Sequence, residues 1–135
     1  MRITTRGRYG LRAVLKLTVS DVGKPISIRE LSQAEKISPE FLEQIFFRLR
    51  KAGIIKSTRG PGGGFQMERD PATVTVKEIF DAVGEEISLT PCTAENGNRK
   101  PCEHQTECIA HDIWKETADY INDYFRNLTI QQILD

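Results

Sequence analysis

Apolar residues recur at helical spacing through Tyr9, Leu11, Ala13, Val14, Leu15, Leu17 and Val19, which predicts an amphipathic helix that Gly23-Lys24-Pro25 brings to an end. Arg6, Arg8 and Arg12 fall on or near its other face. Ser27 with Glu30 forms a capping-box pattern that opens a short second helix through Leu31 and Ala34, and Glu35-Lys36-Ile37 makes a tight turn. Ser38 is a good N-cap and Pro39 suits the first position of a third helix. Its buried stripe is Phe41, Leu42, Ile45, Phe46 and Leu49, and Gly53 closes it. Two short helices around such a turn are the helix-turn-helix pattern.

The period then changes. Ile54 to Thr58 is strand-like, Arg59-Gly60-Pro61-Gly62-Gly63-Gly64 follows, and Phe65-Gln66-Met67 is a second short strand, so residues 54–67 predict a wing with a basic, glycine-rich tip. Glycines let backbone N–H groups approach a phosphate, and the Arg59 guanidinium is long enough to enter a groove. A nucleotide-phosphate loop is the poorer reading, because the run lacks a Gly-Lys-Ser/Thr ending and leads into a strand.

Thr75 with Glu78 is a second capping box; Val76, Ile79, Phe80 and Val83 form the apolar face of its helix and Gly84 its stop. From Cys108 onward, Ile109, Ile113, Trp114, Thr117, Tyr120, Ile121, Tyr124, Phe125 and Leu128 recur every few residues, with Lys115, Glu116, Asp119 and Asp123 largely between them. One long helix is predicted. So wide a stripe in so short a chain points to an identical partner helix and hence to a homodimer. The fold class expected is mainly α with a small β wing: a winged helix-turn-helix region over 1–84, a loop over 85–107, and a dimerisation helix with a short C-terminal helix over 108–135.

The 135 residues suit one compact unit, and the zero net charge conceals a sharp asymmetry. Residues 1–69 hold fourteen Lys or Arg against six Asp or Glu, whereas residues 70–135 hold five against thirteen. A basic first half points to a polyanion partner from which the acidic half is held away. No apolar run is long enough to span a membrane.

All three cysteines fall in a stretch containing Pro91, Asn96, Gly97, Asn98 and Pro101, and a histidine follows the last of them: Cys92, Cys102, Cys108 and His111. Three thiols and an imidazole make a complete four-ligand set for iron or zinc, with Cys108 and His111 expected on one face at the start of the long helix. Met1 opens onto a polar basic stretch rather than a secretory leader, so a disulfide scaffold is disfavoured and a cytoplasmic protein is expected. Inert buried thiols fit poorly beside Glu95, Glu103 and Glu107. A thiol oxidoreductase fits worse, since no C-x-x-C pair supplies attacking and resolving sulfurs, and no enzyme is expected. His104, the other histidine, is expected to be a solvated loop residue, with a reserve ligand the alternative.

Taken in order, Met1 to Tyr9, Ile37-Ser38 with Phe41-Leu42-Glu43-Gln44, Leu49-Arg50-Lys51-Ala52-Gly53 and Arg59-Gly60-Pro61-Gly62-Gly63-Gly64-Phe65 resemble the iron-sulfur cluster regulator family, the IscR-like branch of the Rrf-type bacterial repressors. Cys92, Cys102, Cys108 and His111 followed by Ile113-Trp114 are similar to that family's three-cysteine, one-histidine cluster site. The resemblance implies a winged helix-turn-helix homodimer that binds promoter DNA and an iron-sulfur cluster and regulates transcription. The cluster would be of the [2Fe-2S] type, with [4Fe-4S] the alternative and a structural zinc the rival. Two departures stand out. Nine residues separate Cys92 from Cys102, more than is usual in the family, and Arg8 occupies a position where some relatives carry an acidic ligand, which favours His111 as the fourth donor.

The expected DNA contacts are Arg2, Thr4, Arg6, Ser38, Pro39, Glu40, Glu43, Gln44, Arg50, Lys51, Arg59, Gly60, Pro61, Gly62 and Gly63. Arg2, Arg6, Arg50, Lys51, Lys56 and Arg59 neutralise phosphates and carry little sequence choice. Gln44 pairs with adenine, and Glu43 gains only where a cytosine N4–H satisfies it. Glu40 also complements the helix N-terminus.

Overall fold

The structure, a computed structural model, describes residues 1–20, 23–94, 102–104 and 106–135; the expected loop residues 95–101, Asn96, Gly97, Asn98 and Pro101 among them, lie outside the described residues. The elements run α1 (Thr5–Val19), α2 (Ile28–Glu35), α3 (Pro39–Lys51), β1 (Ile55–Thr58), β2 (Gly64–Met67), α4 (Val76–Val83), α5 (His111–Asn127) and α6 (Ile130–Leu134). Short 3-10 turns stand at Pro71–Thr73 and Pro91–Thr93. Among the described residues no helix is long and apolar enough to cross a membrane.

The helix-turn-helix forms where its caps are written. Ser27 accepts from the Glu30 N–H at 3.1 Å, Ser38 accepts from the Phe41 N–H at 3.2 Å, and Pro39 stands at the start of α3, where a missing N–H costs nothing. The turn between them is made by Lys36, in left-handed backbone at φ 56°, whose N–H donates to the Ser32 carbonyl. Arg12 of α1 spans to Glu35, donating to its carboxylate at 2.8 Å and to its carbonyl at 2.9 Å, so that it closes the C-terminal end of α2. Tyr9 lies edge-on to Phe41 at 5.7 Å. Arg8 and Arg12 both sit by the Tyr9 ring, so Arg12 is engaged within the fold.

Ala13, Val14 and Leu17 of α1 meet Leu31 of α2, Leu42, Ile45, Phe46 and Leu49 of α3, and Ile79, Phe80 and Val83 of α4 in one buried core. Each such aliphatic or aromatic side chain contributes roughly 1.5–3 kcal/mol when fully removed from water. Gly10 lets α4 approach α1 closely: a Cβ there would stand 3.2 Å from the Val83 side chain. β1 and β2 pair antiparallel, Ile55 opposite Met67 and Thr58 opposite Gly64. Phe46 and Phe65 stack edge-to-face at 4.8 Å and fasten the wing to α3.

Two features differ from the sequence reading. Cys108 is not helical: it lies in the turn before α5, with its N–H donating to the His104 carbonyl at 2.8 Å, and Ala110 is the N-cap. The helix also stops at Asn127, because the chain beyond it pairs with the approach to α4. The Val76 N–H donates to the Leu128 carbonyl and the Ile130 N–H to the Val74 carbonyl, both at 2.9 Å, while Thr75 and Thr129 form an isolated bridge. Thr129 then restarts the chain as α6 through a capping box with Gln132.

Candidate DNA interface and cluster-binding segment

The exposed side of α3 carries Glu40, Glu43, Gln44, Phe47 and Lys51 in one stripe, as helical spacing requires, bordering an open groove of about 850 Å³ that Ala82 of α4 closes on the far side. Pro39 and Ser38 precede it at the helix start, where Ser38 caps the Phe41 N–H. Arg50 reaches Ser57 of β1 at 3.4 Å, and Lys56 faces Glu68 at 3.8 Å. Among the described residues Arg2, Arg6, Lys51 and Arg59 are exposed and make no ion pair.

The glycine run at the wing tip divides by task. Gly63 donates its N–H to the Gly60 carbonyl at 2.9 Å, and a Cβ there would meet the Thr58 carbonyl oxygen at 2.2 Å. Gly64 passes so close to Ile26 that a Cβ would lie 2.3 Å from its carbonyl oxygen, and this closeness permits the Ile26–Phe65 bridge. Those two glycines are therefore required by the chain's own turn, and the exposed Arg59, Gly60, Pro61 and Gly62 form the accessible tip.

Thr4, an expected DNA contact, is exposed, but both of its donors are taken up within the chain. Its N–H donates to the Glu85 carboxylate at 3.0 Å and its hydroxyl donates to the other carboxylate oxygen. Glu85 is 3% exposed and caps α1 from eighty-one positions further along the chain. Two residues on, the Ile87 carbonyl accepts from the amide of Asn122, a buried side chain of α5, at 3.3 Å. Segment 85–87 thus ties the start of α1 to the middle of α5. Neither Glu85 nor Asn122 was legible in the sequence; a polar residue just after a helix stop, and another inside an apolar stripe, were the available signals.

Beyond this tie, Cys92 sits in the Pro91–Thr93 turn, its Sγ 3.0 Å from the Thr90 hydroxyl, and the Thr93 hydroxyl accepts from the N–H groups of Leu89 and Thr90 at 3.2 Å. His111 is the first residue of α5, and its N–H donates to the Cys108 carbonyl at 3.2 Å. Its Nδ1 is buried without a hydrogen-bond partner, an arrangement that a metal ion bound to its lone pair would relieve. Cys92 and Cys102 are half-buried and Cys108 is exposed; all three are free thiols. Among the described residues no three Cys, His, Asp or Glu side chains converge closely enough to hold a metal, so the donors flank the segment without forming a closed cage. The donor chemistry, three thiols and an unpartnered imidazole nitrogen, nevertheless suits iron or zinc. One turn beyond His111, Lys115 is raised above the usual lysine value by its hydrogen bond to Asp119 and by that carboxylate's charge.

A helix-turn-helix followed by an antiparallel wing defines a winged-helix DNA-binding transcription regulator. The Rrf2 model, described as an iron-dependent transcriptional regulator, matches residues 3–135. The HTH-type transcriptional regulator IscR of Escherichia coli is 33% identical over 135 residues, all of this chain and 81% of that protein. Among solved structures, the IscR of T. potens aligns with a TM-score of 0.77 at 25% identity, covering 99% of this chain and 86% of the other. CymR, the global cysteine regulator of B. subtilis, aligns with a TM-score of 0.77 at 26% identity, covering 98% of this chain and 95% of the other. This chain belongs to the Rrf2 family of transcription regulators.

Proposed function

We propose that this protein is an iron-sulfur cluster-sensing transcriptional regulator of the cytoplasm that binds promoter DNA as a homodimer and has no enzymatic activity. The observation that carries the reading is the placement of four metal-binding donors, Cys92, Cys102 and Cys108 between α4 and α5 and His111 at the first position of α5, with the His111 Nδ1 buried and unpartnered. The family's description as iron-dependent and the likeness to IscR support it. When bound, a cluster supplies a redox- and iron-sensitive crosslink between the turn at Cys92 and the start of α5; [2Fe-2S] is the preferred type because an imidazole completes the set.

In this reading residues 1–84 bind DNA, residues 85–107 hold the cluster and residues 108–135 dimerise. Contact with DNA falls to Arg2, Arg6, Ser38, Pro39, Glu40, Glu43, Gln44, Arg50, Lys51 and the tip Arg59 to Gly63, with Thr4 acting through Glu85. Dimerisation is supported by α5, which buries Ala118 and Asn122 within the protomer and leaves Ile113, Trp114, Tyr120 and Tyr124 exposed. Coupling is supported by segment 85–87, which joins α1 to α5 ahead of the ligands. Cluster binding would change how the two recognition helices are presented, and reciprocity requires specific DNA to alter cluster affinity by the same factor.

The test is anaerobic purification, visible absorbance with iron and sulfide assay, and DNA affinity of the loaded and cluster-free protein on a panel of sites at one salt concentration. A coloured protein whose site preference changes on cluster loss is expected. A colourless protein holding one zinc would replace the sensor with a structural site, and identical affinities on every site would leave the cluster as a structural crosslink only.

A further inference from the structure

Phe47 is 59% exposed, and every other exposed aromatic side chain among the described residues lies on α5. It stands one turn after Glu43 and Gln44 and one turn before Lys51, a hydrocarbon ring within the polar stripe that borders the groove along α3. The core stripe of α3, Leu42, Ile45, Phe46 and Leu49, is complete without it. We infer that Phe47 is a specificity-determining residue that reads the 5-methyl group of a thymine in the major groove. This rests on the assignment of α3 as the recognition helix and deepens it.

The chemistry narrows the choice to thymine. The major groove presents donors and acceptors on every base pair and one apolar group, the thymine methyl. A phenyl ring has no donor or acceptor, so pressing it against a polar base edge strips water from that edge and replaces nothing. Against a methyl it removes apolar surface of both partners from water. Glu43 and Gln44, one turn away, select polar edges, so the stripe combines acceptor, amide and apolar readers along one helix face. Lys51, at the next turn, meets the phosphate flank.

The experiment begins with selection of a binding site from a random duplex library by the full-length protein. Each thymine of the selected site is then replaced by deoxyuridine, which removes the methyl and keeps every hydrogen bond. At one thymine per half-site the replacement should weaken the wild-type protein about fourfold, the worth of one buried methyl. Phe47→Ala should bind thymine and deoxyuridine sites equally, and Phe47→Leu should retain part of the preference. The deoxyuridine scan of the wild-type protein needs no variant and stands if Phe47→Ala fails to fold. Tolerance of deoxyuridine at every thymine, or a penalty undiminished in Phe47→Ala, would overturn the assignment while leaving DNA recognition by α3 intact. If no sequence is enriched, recognition by α3 fails and the role of Phe47 fails with it.

Discussion

The carboxylate of Glu85 caps helix α1 at Thr4, accepting from its backbone N–H at 3.0 Å and from its hydroxyl. Thr4 is the N-cap residue but makes no cap with its own side chain. An acceptor eighty-one positions away takes over that task, and its negative charge lies at the positive end of the helix dipole. The residues flanking this joint, Arg2 and Arg6, are the phosphate contacts assigned to the N-terminus.

Glu85→Ala should therefore destabilise the protein by about 0.5–2 kcal/mol, since it removes the acceptor that caps the start of α1. Glu85→Gln keeps an acceptor and should recover part of the loss. Urea unfolding of both variants measures this, and equal stability of all three proteins would remove the capping role.

Gly7 lies beneath the same carboxylate: a Cβ would come within 2.8 Å of the Glu85 Cγ. Gly7→Ala normally favours a helix, yet here it should cost about 1–3 kcal/mol by overpacking and displace Glu85 from Thr4. A rise in the thermal midpoint would show that the joint yields freely.

Replacement of Cys102 or Cys108 by Ala should abolish cluster binding while leaving the helical content unchanged, because neither residue belongs to the buried core. His111→Ala should weaken the cluster and shift its visible spectrum. An unaltered spectrum and cluster lifetime in His111→Ala would transfer the fourth position to His104 or to a residue of the partner chain.

Arg59→Ala should lower DNA affinity on all sites and reduce the salt dependence by about one counterion, whereas Glu43→Ala should relax the preference for cytosine and strengthen binding to poor sites. Titrations at several salt concentrations on good and poor sites separate the two effects. Proportional losses on both kinds of site for Glu43→Ala would deny it a readout role.

Tyr120 is 79% exposed on the outward face of α5. Tyr120→Glu should shift the protein from dimer to monomer in sedimentation with its circular dichroism preserved. A dimer unaffected by this charge would place the interface elsewhere.

The sequence by itself determined the elements whose signals are local. Ser27, Ser38, Thr75 and Gly84 mark helix ends because a cap is a hydrogen bond or a backbone angle settled within a few residues, and the stripe of α3 follows from its period. The four candidate metal donors were legible by residue type. Tertiary structure alone decided what depends on residues far apart in the chain. Periodicity carried the last long helix through Leu128, but the carbonyl of Leu128 bonds to Val76 and the helix breaks at Asn127. Cys108 fitted a helical spacing and lies in a turn held by the His104 carbonyl. Gly64 was read as part of the glycine-rich wing tip and is needed for close approach to Ile26. Glu85 showed no pattern at all, because a buried carboxylate acquires its role only when folding brings a distant helix start to meet it.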